Sequence, residues 1–183
     1  SLVKDIESKH YRLLNYDVNH IIFEKGNRIS IPYVTGTEDS DVNLRNSKPV
    51  QIITGLCKQE NRSFNFLLNH LKKQYPTTSD EILDGVIKNL VEKEILISNL
   101  RPPLAVDELA YIIGEIGKIP DLVQQSYELE DLYNCFQRYN QLEIGAGEKT
   151  LKEIIRKMKN IVPSATYVQL DSAFEMQKFC LDK

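Results

Sequence analysis

Few side chains in this sequence could make or break bonds. The cysteines are Cys57, Cys135 and Cys180 and the histidines are His10, His20 and His70. No two cysteines form a CxxC pair, and no histidines show HExxH spacing, so a zinc ribbon, a redox pair or a metalloprotease is not indicated. GxxxxGKS, GxGxxG and GxSxG are also missing from the 183 residues. The remaining candidates are cations. Arg45 lies in an alternating segment, Lys88 in a helical pattern and Arg101 beside Pro102-Pro103. A basic run spans Lys149 to Lys159, with Lys149, Lys152, Arg156, Lys157 and Lys159 against Glu153. Cations of this kind recognise carboxylates or phosphates. For the basic run, phosphate binding and a solvated face are both open. An Arg next to Pro-Pro reads first as a linker anchor.

The elements that must position these groups fall into two regions. The first opens with short strands. Tyr11 to Tyr16 can be extended. His20 to Glu24 and Arg28 to Pro32 flank Lys25-Gly26-Asn27, a turn signal, and so predict a hairpin. Ile29 and Ile31 share one face of it. Val42 to Asn46 alternates again, giving a third strand with Val42 and Leu44 on one side. Three helices follow. Pro49 opens the first, with Val50, Ile53, Leu56 and Cys57 at helical spacing. Phe64, Leu67, Leu68 and Leu71 mark the second, which Pro76 stops. Thr78-Ser79-Asp80-Glu81 reads as a capping box for the third, with Thr78 as cap. That helix carries two apolar rows, Ile82-Val86-Leu90 and Leu83-Ile87-Val91. A helix packed on one side needs only one row.

The predicted fold is α+β. A winged-helix-like module over residues 1–98, a three-stranded antiparallel sheet then three helices, precedes a mostly α-helical region over 99–183. Leu100-Arg101-Pro102-Pro103-Leu104 is an extended linker. Asp107 caps a helix, and Pro120 opens a long one with Leu122, Leu129, Leu132, Phe136 and Tyr139 on one stripe. Gly145-Ala146-Gly147 breaks it, and Thr150 begins a second capping-box pattern. Tyr167 to Asp171 reads as a strand without a partner here. That strand, together with Ser1 in place of Met, predicts an excised piece of a longer protein.

Charge excludes several functions. Lys plus Arg number 23 and Asp plus Glu 26, for a net charge of −3. Residues 1–100 hold 13 basic and 13 acidic groups. A winged helix would lay its third helix in the DNA major groove, yet here Asp80, Glu81, Asp84, Glu92 and Glu94 outweigh Lys88 and Lys93. Phosphates repel such a helix, so no DNA partner is predicted. Apolar runs fall far short of the roughly 20 residues of a membrane span. An odd count of three cysteines with no CxxC pair fits a reduced, cytoplasmic setting better than a secreted one.

Ile97-Ser98-Asn99-Leu100-Arg101-Pro102-Pro103-Leu104 resembles a segment of the class I lantibiotic dehydratases, the nisin-dehydratase type. Val168-Gln169-Leu170-Asp171 is similar to a later strand of that family, and Arg12 to Asp17 before a Gly-turn hairpin matches the region upstream. The resemblance implies an internal fragment of a large cytosolic enzyme, with 99–183 belonging to a larger glutamylation domain. Such enzymes activate Ser and Thr of a precursor peptide with glutamate from glutamyl-tRNA, then eliminate it. Glutamyl-tRNA would be a co-substrate of the whole enzyme, and a homodimeric parent is one form open to it. No cofactor is expected in this piece, and none of the family's catalytic residues can be carried onto it.

The resemblance also implies a precursor-peptide recognition element, in which the leader adds as a strand. Edge strands offer backbone groups to extended peptides. The expected peptide-binding residues are Val42, Asn43, Leu44 and Arg45 on the third strand, and Leu83, Asp84, Ile87, Lys88 and Val91 on the third helix. Arg45 and Lys88 would pair with acidic leader residues, and no catalytic or metal-binding residue is expected. The alternative is a non-enzymatic winged-helix scaffold that docks another protein.

Overall fold

A computed structural model describes residues 2–32, 42–143 and 145–161. The order begins with helix α1 (Leu2–His10), a 3-10 turn (Tyr11–Leu13) and strand β1 (Asn15–Val18). Strands β2 (Phe23–Lys25), β3 (Arg28–Ile31) and β4 (Val42–Arg45) follow, then α2 (Lys48–Gln59), β5 (Arg62–Ser63), α3 (Phe64–Gln74), α4 (Asp80–Glu92) and β6 (Leu96–Ser98). The chain continues with α5 (Glu108–Ile116), a 3-10 turn (Pro120–Leu122), α6 (Val123–Asn140) and α7 (Glu148–Ile161). The fold is α+β and mostly helical, and both sheets are antiparallel. None of the described helices is long and apolar enough to cross a membrane.

The expected strand-then-helix order is present. β2, β3 and β4 form one sheet in that sequence. Gly26 takes φ 60°, and a glycine at the first central position is what a two-residue type II′ turn needs. This sets Lys25 opposite Arg28. Pro49 sits in the first turn of α2, where its missing N–H costs nothing.

Several expectations change. Tyr11–Leu13 is a 3-10 turn, so the first strand begins at Asn15. A second sheet, ordered β5-β1-β6, lies outside the sequence-based expectation. Its β6 borders the stretch expected to be an extended linker, and Leu96 pairs there with Val18 of β1. Ser79, not Thr78, is the cap residue of α4, and its side chain makes no capping bond. Thr150 lies inside α7, which starts at Glu148. Ser63 does cap α3 by accepting from the Phe66 amide at 3.2 Å, and Asp107 caps α5 by accepting from Ala110 at 3.0 Å.

The chain divides into two compact units, Ser1–Glu130 and Asp131–Lys183. This division falls downstream of the expected 98/99 boundary. α5 belongs with the first unit. There the Tyr111 hydroxyl donates to the Asn99 carbonyl at 3.0 Å, and the Asn99 amide donates to Glu115 at 2.8 Å. The first core gathers Ile6, Tyr16, Ile53, Phe64, Leu67, Ile87 and Leu90. In the second unit, Leu132, Cys135 and Ile154 form a cluster against Phe136, Tyr139, Met158 and Ile161. The strand expected at Tyr167–Asp171 lies outside the described residues.

Candidate functional site

β4 ends its sheet among the described residues. Its register on β3 places Ile29 opposite Leu44 and Arg28 opposite Arg45. The Asn46 amide donates to the Asn27 carbonyl at 2.9 Å, which fixes the phase of the ladder. Bonded pairs recur every second residue in an antiparallel ladder. The backbone groups of Val42 and Leu44 therefore point at β3. Those of Asn43 and Arg45 point away from it, along the outer edge. The Arg45 carbonyl also accepts from the Ser47 amide at 2.9 Å.

Side chains alternate as well. Leu44 is half-buried and lies on the face of Ile29 and Ile31, which are both 1% exposed. Asn43 and Arg45 are exposed on the other face. The Asn43 side chain lies against the Ser30 hydroxyl. Lys25, Arg28 and Arg45 face one another across all three strands. Like charges directly opposed in a sheet destabilise it. None of the three forms an ion pair among the described residues. The row is a ready counterpart for carboxylates. The sequence pattern alone does not reveal it, because cross-strand register is needed to see it.

The helix half of the expected site is corrected. Leu83, Ile87 and Val91, expected to face a peptide, are 2%, 0% and 7% exposed and belong to the core of the first unit. α4 packs against α2, α3 and β6, and Val91 lies beside Glu7 and Tyr11 at the lining of a cavity. The outward apolar residue is Ile82, at 62% exposure, with Val86 half-buried. Asp84 accepts from the Tyr11 hydroxyl and from Arg12 Nε, both at 2.8 Å. Burial opposes its ionisation, but the bonds from Arg12 and Tyr11 outweigh that and hold its carboxyl below the usual range. Lys88 lies 3.6 Å from Glu92 and 5.6 Å from the centroid of the Tyr11 ring. Asp84 and Lys88 thus fasten the Tyr11–Leu13 turn to α4.

Arg101 is an anchor. Its Nε and Nη2 donate to the two Glu7 oxygens at 3.2 and 3.0 Å, and Nη2 approaches Glu94 at 3.4 Å. Ser98 Oγ donates to Glu7 at 2.8 Å, and Lys4 pairs with Glu94 at 2.7 Å. Glu7 is 5% exposed, and its role is invisible in the sequence because the apolar pattern of α1 is too weak to announce a helix. A cavity of about 160 Å³ beside this network is lined by Lys4, Glu7, Tyr11, Lys88 and Arg101 among others. No group of three or more metal-ligating side chains occurs among the described residues. Cys57 and Cys135 are buried free thiols, and burial pushes Cys57 up to about 12.

The family described as "Lantibiotic dehydratase, N terminus" matches residues 2–183. Subtilin biosynthesis protein SpaB of Bacillus subtilis is 28% identical over 184 residues, covering 99% of this chain and 18% of that protein. Nisin biosynthesis protein NisB of Lactococcus lactis subsp. lactis is 24% identical, covering 93% of this chain and 17% of that protein. The crystal structure of the tRNA dependent lantibiotic dehydratase MibB from Microbispora sp. 107891 matches with a TM-score of 0.70 at 18% identity. That match covers 89% of this chain and 18% of that one, and it bears on fold alone. The chain spans less than a fifth of the length of these relatives.

Proposed function

The chain belongs to the lantibiotic dehydratase N-terminal family, and on that basis we propose that it binds the leader of a precursor peptide by strand addition along β4. The supporting observation is that β4 ends its sheet among the described residues, with Asn43 and Arg45 directing their backbone groups outward. An extended peptide laid beside it continues the ladder through main-chain bonds. Leu44 then borders the peptide residues on the inner face, and Arg45 those on the outer face. A carboxylate on the outer face completes the Lys25-Arg28-Arg45 row and relieves its like-charge repulsion. α4 packs against α2, α3 and β6, and its Leu83-Ile87-Val91 row is buried, so that row is left out of the proposed peptide contact.

The activity belongs to the longer protein. There the proposed reaction is transfer of glutamate from glutamyl-tRNA to Ser or Thr of the precursor, followed by elimination. No residue of this chain is assigned to that chemistry. The proposed setting is the cytoplasm.

The test is fluorescence anisotropy with a labelled leader peptide. Arg45→Pro deletes an outward N–H, and prolines are tolerated on edge strands. Arg45→Gln keeps the N–H and removes only the charge. Leu44→Pro is unsuitable, because its N–H points at β3 and the sheet itself would suffer. Strand addition predicts that Arg45→Pro binds about fivefold more weakly than Arg45→Gln, one lost bond being worth about 1 kcal/mol. Equal binding by the two variants removes the strand-addition mechanism. A wild-type chain that ignores the leader removes the function.

A further inference from the structure

We propose that the cavity of about 160 Å³ beside the Glu7–Arg101 pair binds a small zwitterion, an α-amino acid with a short apolar side chain. Its lining is charge-balanced, with Lys4, Lys88 and Arg101 set against Glu7, Glu92 and Glu94. Such a lining exerts no net pull on an anion or on a cation alone. Most of these charges are spent on one another. Glu7 takes Arg101 Nε and Nη2 at 3.2 and 3.0 Å. Nη2 also approaches Glu94 Oε1 at 3.4 Å, the same oxygen that Lys4 holds at 2.7 Å. Two polar atoms are left over. Arg101 Nη1 has no hydrogen-bond partner among the described residues, and both approaches to Glu94 leave its Oε2 aside. A cationic donor and an anionic acceptor thus stand side by side in the cavity wall. A ligand carboxylate suits the first and a ligand ammonium the second. A ligand with a single charge leaves one of them unmatched.

The backbone and the remaining walls agree with this occupant. Glu94 follows the C-cap of α4 and takes φ 55°. Glycine is the usual residue there, because a side chain is strained in that conformation. Strain of this kind collects at ligand sites. Tyr11 spends its hydroxyl on Asp84, so it adds ring surface to the cavity. Val91, 7% exposed, adds its methyl groups. These two take the apolar side chain of the ligand. A cavity of about 150 Å³ accepts a benzene-sized molecule, so valine is of suitable size and tryptophan is too large. None of these residues belongs to β4, and the site is independent of the leader reading above.

The experiment titrates L-valine into the whole chain and follows the Val91 methyl signals by NMR. Isovalerate carries the carboxylate without the ammonium, and isobutylamine the ammonium without the carboxylate. Valine should shift the Val91 signals saturably. Each single-charge analogue should bind at least about tenfold more weakly, the factor expected for one charge-assisted bond. Glu94→Gly suits the left-handed backbone and removes the carboxylate. It should keep the wild-type far-UV spectrum, lose at least about tenfold in valine affinity and bind isovalerate no more weakly than wild type. Equal binding of the three ligands, unchanged valine affinity in Glu94→Gly, or Val91 signals that valine does not move overturn the proposal. So does a longer protein whose Val91 signals ignore valine, because its other parts then fill the cavity. Leader-peptide anisotropy should be unaffected by saturating valine, and competition between the two would place valine at β4 instead.

Discussion

Replacing Arg101 with Met tests how the segment after β6 is held to α1. Glu7 is 5% exposed and accepts two bonds from the guanidinium and one from Ser98. Removing the cation leaves a buried carboxylate with a single hydroxyl donor. Breaking a fully buried pair in this way costs about 3–5 kcal/mol. The Arg101 side chain is 30% exposed, so water partly screens the pair. The expected cost is then about 2 kcal/mol. Urea unfolding followed by far-UV circular dichroism reads it. The companion is the double variant Glu7→Gln with Arg101→Met. A neutral amide in place of the Glu7 carboxylate needs no cation, so the double variant should be at least as stable as Arg101→Met alone. The two changes should therefore couple by about 1–2 kcal/mol. A cost below about 0.5 kcal/mol for Arg101→Met would refute the buried-pair reasoning. Strict additivity in the double variant would do the same.

Two further outcomes are expected. Ile87→Ala should destabilise the first unit by about 2–5 kcal/mol, whereas Ile82→Glu should stay within about 0.5 kcal/mol of wild type. Chemical denaturation compares them, and similar costs would mean that the inward row of α4 is wrongly placed. Burial opposes ionisation of Asp84 and Glu94, yet Arg12 and Tyr11 hold the folded-state pKa of Asp84, and Lys4 and Arg101 that of Glu94, below the usual carboxylate range. Such groups stabilise the fold above about pH 4, and the contribution disappears as pH falls through the lowered folded value. Asp84→Asn should therefore show a shallower loss of stability between neutral and acid pH than wild type; a parallel profile would exclude Asp84 from the linkage.

Much of the first unit can be read locally. A Gly-Asn pair between alternating segments specifies the β2–β3 hairpin, and Gly26 supplies the positive φ. Pro49 and the spacing of Val50, Ile53 and Cys57 specify α2. Gly145 to Gly147 mark the break before α7. The elements that local patterns miss are those whose stability is borrowed. β5 is two residues long and exists by pairing with β1. β6 is too short to stand out ahead of the linker at Leu100–Leu104 until it pairs with Tyr16 and Val18 of β1. α1 has a weak apolar pattern and is held by Glu7 bonding to Ser98 and Arg101, more than 90 residues away.

The candidate site divides along the same line. Local patterning is enough to make Val42 to Arg45 a strand, to put Leu44 and Arg45 on opposite faces, and to give α4 two apolar rows. These follow from periods of two and 3.6 residues, which are properties of the backbone and need no neighbour. Packing in three dimensions settles which α4 row is buried, which β4 residues direct their backbone groups outward, and that Lys25, Arg28 and Arg45 form one row. Rows on a helix differ by a rotation of about 100° per residue, so local energetics barely distinguish them; the choice is made by tertiary packing, with α4 lying against α2, α3 and β6. In the same way, the open edge of β4 is defined by where its partner strand lies, and ladder phase is a relation between two strands that neither contains alone.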